Sequence, residues 1–300
     1  MGGQRIILGT RGSDLALAQA RLVEEALRAA WPELQIALEI IRTSGDESAR
    51  PVAVLDRKAG RKGMFTREIE RELLSGRIDV AVHSAKDLPS EAVEALEIKA
   101  TLTRANTEDV LITKNGQRLT GLPSGAIIGT GSIRRQRQLA WKRPDLQIAH
   151  LRGNVPTRLR KLRENDDWSG IILARAGVAR LGLTIDGEIL SREDFVPAGG
   201  QGVIALQTRR ADEAVKRLLA PIDHRATHLC LRAEREFLRL LGGDCNFPVG
   251  VQARTEEKEL RMHAQVFAEG ENAPRVGAVI GAGDAPEKVA AELMEQLYGG

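Results

Sequence analysis

One order of short strings, met twice, constrains this 300-residue chain more than any property of its composition. "RIILGTRGSDLALAQARLVEEALRAA" is a buried strand, a Gly-Thr-Arg-Gly-Ser turn and a helix, and "QIALEII" is a second strand. A glycine-containing loop, a helix over "TREIERELLSG" and the strand "IDVAVHS" follow. The same succession returns as "AIIGTGSIRRQRQLAW", "QIAHLRGNVPTRLRKLREN" and "SGIILARAG". Repetition of several strings in one order predicts two similar α/β domains. Alternating strands and helices predict mostly parallel sheets, with ligand sites at the strand C-termini, where the polar turns fall. In the first copy Ser13 is placed to cap the helix, with Asp14 in its first turn. Leu15, Leu22 and Ala26 keep helical spacing there, and Gly76 ends the second helix.

After "PAGGQG", the stretch "VIALQTRRADEAVKRLLA" adds a strand and helix that belong with the first domain. Two crossings, near Thr103 and near Gly200, then join the domains as in a hinged cleft protein. From Pro221 a long amphipathic helix, a "GGDCNFPVG" loop, three antiparallel strands through Gly281 and a final helix predict a smaller α+β domain. The expected division is 1–103 with 201–219, then 104–200, then 220–300. The doubly wound pair plus a C-terminal α+β domain is the predicted fold class.

The polar turns carry the chemistry. In "AVHSAKDLPS" a buried strand ends and presents Ser84, Lys86 and Asp87 before a proline. Two readings stand: a surface turn capped by Asp87, or a cleft in which Asp87 steadies positive charge and moves a proton while Lys86 and Ser84 bind anionic groups. His83 alternates inward and reads as structural. Arg11, Arg134, Arg135, Arg152 and Arg158 all lie in or just after strand-ending turns, where guanidinium forks and helix N-termini suit carboxylates or phosphates. Arg137, Lys142, Arg160, Lys161 and Arg163 read as solvated helix faces. Lys62, in "GRKGMF", fits a flap carrying one more cation.

Cys230 lies in an apolar helical stripe and reads as core. Cys245, on a glycine-bracketed loop, is a candidate nucleophile or attachment point. His224 and His228 have helical spacing without further ligands, so no metal is expected. Composition narrows the partners. Lys and Arg number 44 against 41 Asp and Glu, and aromatics are 3% of residues, which together argue against nucleic acid despite "RRQRQ" and "RLRKLR". Two cysteines suggest a reducing compartment. The early apolar run leaves no room for a signal peptide, and no stretch is long enough to span a membrane. A soluble, cytoplasmic protein is expected.

"HSAKDLP", "GTGSIRRQRQL", "LRGNVPTRL", "PAGGQG" and "GGDCNFPVG", in that order, closely resemble the porphobilinogen deaminase (hydroxymethylbilane synthase) family over nearly the whole chain. The resemblance implies two domains of type II periplasmic-binding-protein architecture plus a third. It also implies a monomer that condenses four porphobilinogen molecules head to tail, releasing ammonia at each addition, to give hydroxymethylbilane. A covalent dipyrromethane serves as primer. By the same resemblance Asp87 is catalytic and Cys245 holds the dipyrromethane through a thioether. Ser84, Lys86, Asp87, Ser132, Arg134 and Arg135 bind that cofactor; Arg11, Ser13, Lys62, Arg152, Arg158 and Gln201, the last in the hinge segment, serve the substrate. The chain departs from the family pattern at Gly131, Pro156, Asn246 and Phe247. A cytoplasmic anion receptor of the same fold, without turnover, is the alternative that fold by itself leaves open.

Overall fold

The computed structural model describes residues 5–43, 63–184, 186–242, 248–271 and 273–299, the side chains of 63–65 excepted. Its first part runs β1 (Arg5–Arg11), α1 (Asp14–Ala30), β2 (Gln35–Ile41), α2 (Gly63–Leu74), β3 (Val80–Ser84), a 3-10 turn at Ala85–Asp87, and β4 (Leu96–Thr101). The second part runs β5 (Asp109–Thr113), β6 (Ile127–Gly129), α3 (Ile133–Lys142), β7 (Gln147–Ala149), α4 (Val155–Glu164), β8 (Trp168–Ala174), α5 (Arg175–Arg180) and β9 (Glu188–Ile189). Then come β10 (Ile204–Arg209) and α6 (Glu213–Leu219).

These strands form two sheets of one topology, β2-β1-β3-β10-β4 and β7-β6-β8-β5-β9. In each, the first three strands are parallel. The fourth is antiparallel to both neighbours. The expectation of mostly parallel sheets is therefore corrected to mixed ones, for a reason that lies in the crossings. β5 is reached from the first sheet and β10 from the second. A strand arriving from the opposite half runs back beside its neighbour and needs no helical crossover over a face.

Local sequence explains the elements. Ser13 accepts from the Ala16 amide at 3.3 Å, and Asp14 occupies the first turn of α1. The buried face of α1 is Gln19, Ala20, Val23 and Leu27, whereas Leu22 is 40% exposed. The helix is thus rotated about one position from the face that spacing suggested. It packs on Ile6, Leu8, Val80, Val82 and Leu206, the core of the first sheet. Gly76 takes φ +77° after α2, a left-handed stop. Asn154 caps α4 through the Thr157 amide at 2.9 Å, with Pro156 in the first turn, where its missing N–H costs nothing.

The third part packs α7 (Arg225–Leu240) and α8 (Pro286–Tyr298) on an antiparallel sheet of β11 (Val249–Glu256), β12 (Glu259–Val266) and β13 (Arg275–Ala282). Phe237, Leu260, Met262, Val266, Val289 and Leu293 fill its core. Cys230 lies there too, and burial raises its thiol to about 11. His224 caps α7 and His228 pairs with Asp223 at 3.0 Å. No helix among the described residues is long and apolar enough to cross a membrane.

One buried carboxylate joins this part to both crossings. Glu234 of α7, fully buried, takes two bonds from Arg104 on the outgoing crossing, at 2.6 and 3.1 Å. It also accepts from the Gly200 amide on the return crossing at 2.6 Å and from the Ala253 amide on β11 at 2.7 Å.

Candidate active site

Side chains singled out in the sequence lie at or beyond the C-terminal ends of parallel strands: β1 ends on Arg11 and leads to Ser13, β3 leads to Lys86 and Asp87, β6 to Ser132, Arg134 and Arg135, and β7 to Arg152 and Arg158. Ser84 is the last residue of β3, and its Oγ meets both amide atoms of Gln19, at 2.8 and 3.0 Å. His83 is buried, with Nε2 on Gln207 Oε1 at 3.1 Å, and burial lowers its pKa to about 4, so it is a neutral structural imidazole.

Lys86 and Asp87, both half-buried, occupy the 3-10 turn, whose position the return crossing sets. The Ala85 amide donates to Val203 O at 3.0 Å. Gly200, at φ +76°, comes so close that a Cβ there would lie 2.9 Å from Ala85 C and Lys86 N. Burial lowers the Lys86 pKa to about 8; Arg135 and Arg158 push it the same way, while Asp87 and Asp109 oppose. Arg158, likewise lowered by burial, feels Arg135 and Asp87. The turn of the first sheet therefore shares one electrostatic field with α3 and α4 of the second.

Arg134 and Arg135 are each 4% exposed and converge on Asp109, which is fully buried at the start of β5. Their Nη2 atoms lie 2.9 and 2.7 Å from its two oxygens. Arg134 also donates to Gln138 and to Val196 O, and Arg135 to Ile172 O. The pair of cations depresses the Asp109 carboxyl far below the usual range, outweighing its burial. Part of each guanidinium is thus committed to a carboxylate of its own chain. Each Nε is nonetheless buried without a hydrogen-bond partner.

Gln201 faces inward. It is 1% exposed, with its amide donating to Thr107 O at 2.6 Å and to Asp109 Oδ1 at 2.8 Å, so it ties the hinge to the Asp109 cluster from behind. Ser132 caps α3 through the Arg135 amide. Arg152 is exposed, its Nε on His150; Arg158 Nε donates to Gly153 O at 2.7 Å. Gly131 admits the Leu151 carbonyl, which a Cβ would meet at 2.4 Å, and that contact explains the glycine. Lys62, Cys245, Asn246 and Phe247 lie outside the described residues. Sequence reasoning missed Asp109, Gln19 and Arg180. Arg180 donates to Gly202 O at 2.7 Å on the return crossing, and burial lowers it to about 10. No local signal marks any of the three.

Fold and site together define an α/β protein of two like sheets in which an acid on the turn after β3 and cations from both halves share one electrostatic field. Residues 6–217 match the model for the dipyromethane cofactor binding domain of porphobilinogen deaminase, and residues 228–299 match its C-terminal domain. Porphobilinogen deaminase of Roseiflexus sp. (strain RS-1) is 47% identical over 88% of this chain and 86% of its own. That of Syntrophobacter fumaroxidans is 42% identical over 97% and 94%. The chain belongs to the porphobilinogen deaminase family. Among solved structures it is similar to the methionine binding protein MetQ, at 12% identity and a TM-score of 0.43 over 73% of this chain and 89% of that one.

Proposed function

We propose that this chain joins four porphobilinogen molecules head to tail, releasing one ammonia at each addition, to give hydroxymethylbilane from a dipyrromethane primer held by Cys245. The observation that carries this reading is the shared field of Lys86, Asp87, Arg135 and Arg158, which sets one carboxylate among cations drawn from both halves. The unpartnered Nε atoms of Arg134 and Arg135 fit a carboxylated group, and with Ser84, Lys86, Asp87 and Ser132 they are the residues that would hold the dipyrromethane. When bound, the dipyrromethane supplies a nucleophilic pyrrole carbon. Asp87 accepts hydrogen bonds from pyrrole N–H groups, opposes the positive charge that forms as ammonia leaves the substrate, and takes up the proton released on coupling. Lys86, Arg11, Ser13, Arg152 and Arg158 hold acidic side groups of the pyrroles in register. Gln201 acts one step back, through Asp109. The reaction joins small polar molecules, in keeping with a cytoplasmic enzyme that works as a monomer without metal.

Intact mass spectrometry of the denatured protein tests this. The expected result is a two-pyrrole adduct on Cys245, with Cys230 unmodified and further one-pyrrole increments after exposure to porphobilinogen. Asp87→Asn should add no increments. A chain that stays bare and inactive, or an Asp87→Asn variant that elongates normally, refutes the reading.

A further inference from the structure

A cavity of about 460 Å³ lies where α7 crosses the edge of the first sheet, and neither Lys86 nor Asp87 lines it. Its volume is in the range of small-molecule sites, and its floor is apolar: Leu88, Leu96 and Leu231 are 4% exposed or less. The arginines around its mouth are matched within the protein. Arg232 pairs with Glu287 at 2.7 Å, Arg239 with Glu236 at 2.7 Å and Arg210 with Glu97 at 3.6 Å.

Arg235 differs. It is half-buried in the wall, has no ion pair within 4.0 Å among the described residues, and donates to Ser90 O at a long 3.3 Å. Glu70, which also lines the cavity and favours the Arg235 charge from beyond ion-pair distance, accepts from Gln207 Nε2 at 3.1 Å. A half-buried guanidinium so weakly engaged above an apolar floor is a receptor for a carboxylate on an apolar body. The cavity also adjoins the catalytic turn. Its wall residues Leu88 to Ser90 directly follow Asp87, and Gln207, another wall residue, holds His83 just before Ser84.

We propose that this cavity is a second ligand site, separate from the cleft, for a small molecule with one carboxylate and a single apolar ring, and that its occupancy alters turnover through the Lys86–Asp87 turn. The carboxylate sits on Arg235 and the ring on Leu88, Leu96 and Leu231. The site goes beyond the proposed reaction, and its binding can be measured without activity.

Phenylacetate is the probe, titrated into the full-length protein and followed by NMR of methyl-labelled leucines. Saturable shifts are expected at Leu88, Leu96 and Leu231, undiminished by excess porphobilinogen. Arg235→Gln should weaken binding by about tenfold or more, as should neutral phenylacetamide in place of the acid. Ala92→Trp, which fills the mouth and leaves Arg235 in place, guards against a merely misfolded Arg235 variant and should also weaken binding. At saturation kcat should change while KM does not. No shifts up to roughly 20 mM probe, full binding by either variant, or displacement by porphobilinogen would overturn the site. An unchanged kcat at saturation would overturn its link to the turn.

Discussion

Lys86 and Arg135 show how far a residue's chemistry depends on what is folded around it. Lys86 falls from 10.5 to about 8, chiefly through burial. Between those values the unfolded chain binds a proton that the folded one lacks, so this group makes stability rise with pH across the window from about 8 to 10.5. In the proposed reaction the effect runs the other way, because the cation assigned to the pyrrole side groups is lost as pH rises through about 8. KM for porphobilinogen should therefore rise above that pH, and Lys86→Arg should move this limb to higher pH; a KM flat through pH 9 in the wild type would remove Lys86 from substrate binding. Arg135→Leu leaves Asp109 buried with Arg134 as its one remaining ion-pair partner among the described residues, so it should cost folding about 3–5 kcal/mol besides abolishing turnover. Urea denaturation measures the first effect, and unchanged stability would mean that the Asp109 pair is broken in solution.

At the scale of elements, the return crossing is the part whose geometry the turn most depends on. Gly200 combines a left-handed backbone with contact against Ala85 and Lys86, whereas Gly182, at φ +64°, leaves open space around the methyl group that an alanine would add, with nothing within 4 Å. Gly182→Ala should lose about 1–2 kcal/mol of stability and keep its kcat. Gly200→Ala should lose more and also lose kcat, since the atoms it displaces carry the turn. Equal thermal shifts and equal kcat for the two variants would show that the close approach is relieved without moving Lys86. α7 was legible from periodicity because it buries one face, and β3 from its continuous apolar run, which is buried on both. β4, β5 and β9 escaped notice, because their short segments carry no recurring string, even though β4 and β9 hold the same edge place in the two sheets.

For the whole molecule, Glu234 makes the arrangement of three parts one energetic unit. It is fully buried and bonds Arg104, Gly200 and Ala253, so both crossings and the third sheet share a single carboxylate. Glu234→Gln strands Arg104 and should destabilise by about 3–5 kcal/mol, with a lower Tm and faster proteolysis at residues 102–108. A Tm within a degree or so of the wild type would mean that the two crossings are held by packing alone.

Sequence by itself determined the repeated α/β order, the mixed third part, the strand-end positions of Ser84, Lys86, Asp87 and the arginines, and through their order the family. Those features are local: periodicity, caps and turns depend on neighbours a few residues away. Tertiary structure alone decided which acid meets which cation. Asp109 reaches Arg134, Arg135 and Gln201 only because β5 lies antiparallel beside β8 while the return crossing passes behind it. Burial then gave Lys86 and His83 their altered proton affinities, because desolvation acts on a side chain only when distant segments close around it.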